Sequence, residues 1–233
     1  MPSTPAASIK LAKPGQQSTR VLTQDEVLRL LQTQHRGTAR GLRNTAMLEL
    51  LYGAGLRKTE LVRLRLTSVD LEAGLLRVQT RREERAVSLA DAPWTALRDY
   101  LIRGRPELLR ERARRMGSPT DVDALFATAE SQRVGMHPET VDRLVAKAAK
   151  RAGFLERVAP GILRRSLVVH LFDSGADVRV IEAVLRIGLA TAKAIYRAAC
   201  GKAPAVERRP CGAAAGFQSL LSGCASNQAG FKP

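Results

Sequence analysis

The sequence predicts an α+β domain that is mainly α-helical and carries one small three-stranded antiparallel sheet. Three observations point to it. Apolar residues recur at three- and four-residue spacing through most of positions 21–199, as in helices that bury one face. A single region, 69–89, alternates apolar and polar residues instead, as half-buried strands do. Between these segments stand caps, glycines and prolines where elements should begin and end.

Thr23-Gln24-Asp25-Glu26 has the spacing of a capping box, and Val27, Leu28, Leu30 and Leu31 supply the buried face of the helix it starts. A second helix is predicted over 38–52, with Leu42, Ala46, Met47, Leu50 and Leu51 on one side and Gly53 and Gly55 at its exit. Arg57 follows at once, beside a short helix over 59–64. A half-buried arginine at such a junction needs an anionic partner. Glu60 is the plain choice, a ligand phosphate the sharper one.

Strands are predicted over 69–72, 75–80 and 85–89, with a turn at Ala73-Gly74 and a charged hairpin tip that carries Arg81 and Arg82. Asp91 and Pro93 open a helix over 91–102. Residues 103–120 form a basic stretch, read as a helix with solvated charges that stops at Gly117-Ser118-Pro119, and 123–126 reads as a short strand. Pro138 starts a helix whose Val141, Leu144, Val145 and Ala148 make an apolar face and whose Arg143, Lys147, Lys150 and Arg151 make a basic one. Pro160 starts the next, with Arg164 and Arg165 among Leu163, Leu167, Val168 and Leu171; Gly175 closes it and Asp177 caps its successor. A last helix over 190–199 places Tyr196 near its end.

Composition divides the 233 residues into an N-terminal arm (1–20), one folded domain (21–199) and a tail (200–233). The arm is rich in Pro, Ser, Ala and Gln without periodicity, so it is expected to be mobile, with Lys10, Lys13 and Arg20 free to meet a phosphate backbone. The tail is small and aperiodic and is expected to be disordered.

Lys plus Arg number 38 against 22 Asp plus Glu, a formal net charge of +16. Such a field attracts polyanions; the plainer alternative is a cationic surface that only keeps the protein in solution. Aromatic residues are only 4%, which disfavours base-stacking platforms for single strands and favours backbone-directed binding to double-stranded DNA. No apolar run reaches membrane-spanning length and the N-terminus lacks the pattern of a secretory signal, so the expected location is cytoplasmic, with no membrane partner. Cys200, Cys211 and Cys224 have neither ligand spacing nor an even count, and no metal site is read from them.

From about Val21 to Tyr196, three-quarters of the chain, the sequence resembles the catalytic domain of the tyrosine recombinases of the Xer-type and phage-integrase-like bacterial kind. The resemblance rests on ordered segments: VLTQDEVLRLL, RNTAMLELLYGAGLRKTELVRLRLTSVDLEAG, EERAVSLAD, and the helical set that ends in AIYRAA, where no gap is needed between Arg164 and Tyr196. It implies that family's fold and a type IB mechanism without metal or nucleotide cofactor. A tyrosine attacks the scissile phosphate to give a 3′-phosphotyrosine, and a 5′-hydroxyl reverses the step, which serves DNA integration and site-specific recombination.

Arg57 and Arg164 match the family's two catalytic arginines and Tyr196 its nucleophile; the nucleic-acid contacts implied are Arg57, Arg81, Arg82, Arg164 and Arg165. Gly161 stands where the family usually has histidine, Ile187 where it has histidine or tryptophan, and the family's hairpin lysine finds only Thr80, Arg81 or Arg82. Neither glycine nor isoleucine moves a proton and arginine is a poor acid, so strand cleavage is expected to be slow by the roughly 10²–10⁴-fold that each such group typically contributes. Family members also carry an N-terminal core-binding domain and a C-terminal segment that docks on a related protomer; the expectation here is that both are lacking. The alternatives are an inactive DNA-binding module, a decayed and truncated recombinase or, as a different fold, a helix-turn-helix regulator.

Overall fold

The structure, a computed structural model, describes residues 20–80, 84–117, 123–129 and 135–201. The arm with Lys10 and Lys13 expected to be mobile, the tail with Cys211 and Cys224 expected to be disordered, and the hairpin tip with Arg81 and Arg82 lie outside the described residues, apart from Arg20 and the tail's first two positions.

Helix α1 (Gln24–Leu31) begins on the capping box. The Glu26 N–H donates to the Thr23 hydroxyl at 3.2 Å, and the Thr23 N–H donates to the Glu26 carboxylate at 2.9 Å. Arg20 just before it bonds Glu156 at 2.6 Å and lies over the Phe154 ring. It is thus held against the folded unit. Helix α2 (Ala39–Gly53), capped by Thr38, is buried around its circumference by Leu42, Ala46, Met47, Leu48, Leu50 and Leu51. A helix buried over most of its surface belongs at the centre of a domain. Helices α4 (Asp91–Asp99), α5 (Arg105–Met116) and α7 (Pro160–Asp173) pack against it.

Helix α7 is the second central helix: Ile162, Leu163, Leu167, Val168 and Leu171 are all buried. Helices α6 (Pro138–Arg151), α8 (Val178–Leu185) and α9 (Leu189–Cys200) lean on it. The sheet has the expected three antiparallel strands, β1 (Val69–Asp70), β2 (Leu75–Gln79) and β3 (Glu84–Ser88), in that order. Leu76, Val78 and Val87 point inward, and so does Arg85, which shares the face of Val87 two residues on.

Three expectations differ from what is observed. The predicted helix over 91–102 instead ends at Asp99 and runs through a wide π turn, Tyr100–Gly104, directly into α5. Tyr100 is fully buried there; its hydroxyl donates to Leu125 O and accepts from the Ala127 N–H. The charges of α5 are not all solvated, because Arg105 and Arg112 are buried and Arg105 donates to the carbonyls of Leu125 and Ala124. Residues 123–126 form no strand; one bridge pairs Ala124 with Arg65, flanked by backbone bonds from Leu66 to Asp123 and from Leu125 to Leu64. No helix among the described residues is long and apolar enough to cross a membrane.

Candidate active site

The segment that leaves α2 is forced into a tight path. Gly55 has φ 58°, and a Cβ there would lie 2.4 Å from Leu185 Cδ2 and 3.0 Å from Leu167 Cδ2. Both the left-handed backbone and the close approach of α7 and α8 require glycine. The chain then turns into α3 (Lys58–Leu61), with Arg57 at its N-cap position.

Arg57 does not have the half-buried, Glu60-paired side chain expected of it. Glu60 accepts the Arg57 backbone N–H at 2.8 Å, and its carboxylate pairs with the Arg85 guanidinium at 3.3 Å. Arg85 and Glu60 are both buried, whereas the Arg57 side chain is exposed. The register of β3 explains the exchange: it drives Arg85 inward, and a buried cation must take the nearest carboxylate.

Arg164, in the second turn of α7, is half-buried. Its guanidinium donates to two backbone carbonyls, Gly55 O and Leu185 O, and so ties the α2–α3 segment to the end of α8. Burial pulls its pKa down to about 10; neighbouring Glu60 opposes this, and Arg57 and Arg85 reinforce it. It therefore stays cationic at neutral pH.

Arg57 and Arg164 meet at an open cavity of about 540 Å³ that Arg63, Arg85 and Arg186 also line, with Thr59, Gln79 and Thr80 between them. Glu60 is the one carboxylate among the lining residues, and Arg85 already engages it. A concave wall with this excess of guanidinium groups concentrates positive potential and suits a phosphate, whose oxygens accept paired N–H donors.

Tyr196 lies elsewhere. It is buried on α9, its ring edge-on to Phe172 with centroids 5.2 Å apart, and its hydroxyl donates to Asp173 Oδ1 at 2.8 Å. That hydrogen bond, with burial and the carboxylate charge adding to it, pushes the phenol up to about 12. Asp173 ends α7, nine residues after Arg164, or roughly 13 Å along the helix axis. Tyr196 does not line the cavity. The structure thus brings Arg57 and Arg164 together and holds Tyr196 apart from them.

Of the other residues read from the sequence, Arg165 is half-buried, is not among the cavity's lining residues, and has a buried Nε without a hydrogen-bond partner; burial lowers its pKa. Gly161 is exposed, with open space where a Cβ would stand, and Ile187 packs against the core. The sequence reading missed Arg63, Arg85 and Arg186. The alternation of β3 contains a signal for Arg85, whereas nothing local in the sequence marks Arg186.

The Phage integrase family model matches residues 20–188. The chain is 33% identical over 186 residues to tyrosine recombinase XerD of Listeria innocua, covering 79% of this chain and 60% of that protein. With tyrosine recombinase XerD of Mycobacterium leprae the identity is 34% over 197 residues, covering 82% and 60%. Among solved structures, XerA recombinase superposes with a TM-score of 0.60 at 28% identity over 76% of this chain and 59% of its own. XerH recombinase in a post-cleavage complex with its difH substrate gives a TM-score of 0.60 at 20% identity over 76% and 48%, a likeness of fold. The chain spans 60% of the length of the two XerD proteins.

Proposed function

The chain belongs to the phage integrase family, and on that premise we propose that it binds double-stranded DNA and acts in DNA integration or site-specific recombination as a tyrosine recombinase. Its partners on this reading are duplex DNA and related recombinase protomers, and its place of work is the cytoplasm. The observation that supports it most is the convergence of Arg57 and Arg164, more than a hundred residues apart, on one cationic cavity.

In that role Arg57 and Arg164 hold the non-bridging oxygens of the scissile phosphate and stabilise the charge that builds on them. The Tyr196 hydroxyl loses its proton and attacks phosphorus; the bond to the 5′-oxygen breaks, that oxygen takes up a proton, and a 3′-phosphotyrosine forms. The reverse attack by a 5′-hydroxyl rejoins the strand. For this, α9 must leave its seat on Asp173 and carry Tyr196 toward the cavity, which makes the described conformation a resting one.

A nicked duplex that traps the covalent intermediate tests the reading. The parent chain is expected to give a slowly formed protein–DNA adduct on a denaturing gel, and Tyr196→Phe none. If neither gives an adduct, the catalytic role of Tyr196 falls. A second reading then stands, a module that occupies DNA without cutting it. The Tyr196–Asp173 hydrogen bond favours it, as do the missing proton-transfer groups at Gly161 and Ile187. It predicts salt-sensitive duplex binding without adduct.

A further inference from the structure

Arg186 holds a backbone conformation that glycine would adopt without strain. It follows α8 as the C-cap residue with φ 48° and ψ 49°, and among the described residues it is the one non-glycine with positive φ. An L side chain in the left-handed region is unfavourable, and such residues persist where the surrounding structure holds them and cluster at functional sites.

Four contacts hold this one. The Arg186 N–H donates to Glu182 O at 2.7 Å, and the Glu182 carboxylate accepts the Leu189 N–H at 2.7 Å, which locks the start of α9 to the end of α8. The carbonyl just before, Leu185 O, accepts from Arg164. The Leu185 side chain is buried against Gly55, so the turn cannot slide relative to the segment that carries Arg57. From this anchored turn the exposed Arg186 side chain lines the same cavity as Arg57 and Arg164.

We propose that Arg186 is a third direct ligand of the DNA phosphate that Arg57 and Arg164 hold; this rests on the reading of the cavity as a phosphodiester clamp. Arg164 alone is a limited donor, because two of its five N–H groups already serve Gly55 O and Leu185 O. Arg186 adds a fork on a turn whose backbone is fixed before the ligand arrives, so only the side chain has to be ordered by the contact. It does not replace a proton donor. It strengthens the electrostatic part of a site whose acid–base part is reduced.

The test uses the full chain and a short fluorescein-labelled mixed-sequence duplex, titrated at several salt concentrations with Arg186→Gly and Arg186→Lys. Arg186→Gly relieves the backbone strain and is expected to melt no lower than the parent, yet to bind about tenfold more weakly at low salt. Its log–log salt slope should be shallower by about 0.9, the release of one counterion. Arg186→Lys keeps the charge and should keep the slope while it loses part of the affinity. If the parent binds and Arg186→Gly matches it in affinity and slope, the inference is overturned and the DNA-binding reading stands. If the parent does not bind duplex at low salt, the DNA reading fails instead, and inorganic phosphate decides the role of Arg186. A phosphate-induced rise in melting temperature that disappears in Arg186→Gly supports the role, and an unchanged rise overturns it.

Discussion

On the recombinase reading, the hydrogen bond from Tyr196 to Asp173 restrains the proposed nucleophile. A phenol that donates to a carboxylate gains by staying protonated, which accounts for a pKa pushed up to about 12 from an ordinary value of 10.0. Asp173→Asn removes the charge and weakens the bond. The Tyr196 phenol is then expected to titrate nearer to 10, read as a phenolate absorbance that appears at lower pH than in the parent and is absent from the Asp173→Asn/Tyr196→Phe double variant. Formation of the trapped adduct should also quicken; an unchanged or slower rate would mean that Asp173 does not restrain the nucleophile. Gly161 offers a complementary change. Nothing lies within 4 Å of where its Cβ would be, so a Gly161→His side chain leaves the first turn of α7 into open space. Replacing a helical glycine stabilises by about 0.5 kcal/mol, measurable by urea denaturation. On the recombinase reading, adduct formation should rise toward the roughly 10²-fold gain of an added acid–base group.

At the scale of elements, the buried Arg85–Glu60 pair joins β3 to α3, and the same carboxylate accepts the Arg57 backbone N–H. Glu60→Gln strips the charge from the carboxylate that the buried Arg85 guanidinium engages, at a cost of about 3 kcal/mol in urea unfolding. A loss well under 1 kcal/mol would mean that water or another group compensates. The same pair shows what the sequence makes legible. Elements specified by local spacing were readable: the capping box of α1, the apolar spacing of α2, the alternating strands, and the proline starts of α6 and α7. Features made by distant partners were not. The π turn at Tyr100–Gly104 has no local signature and is held by Leu125 and Ala127, some 25 residues away. Arg105 is buried because loop carbonyls receive it, which no helical pattern shows. In the site, Arg57 and Arg164 were legible through family resemblance; the Asp173 seat of Tyr196 and the left-handed turn at Arg186 arise only when α7, α8 and α9 come together.

For the whole molecule, pH enters stability through a group that does not line the cavity. Glu49 lies on the central helix α2 at 4% exposure, and its Oε2 has no hydrogen-bond partner. Burial raises its pKa from 4.5 to about 7, and the Arg36 charge only partly opposes the rise. The folded-state pKa lies above the unfolded one, so the folded state binds this proton more tightly. The favourable contribution is complete below about 4.5 and is lost as pH rises through about 7, where folding must bury a carboxylate. Glu49→Gln is the neutral isostere. The difference in unfolding free energy, variant minus parent, should be near zero at acid pH and climb across this window to a few kcal/mol in favour of the variant. Urea denaturation at matched ionic strength over the pH series measures that difference and cancels the titration of groups common to both proteins. A difference that is flat with pH would show that Glu49 is ionised equally easily in the folded and unfolded chains, so that the centre of the domain is wetter than its burial implies.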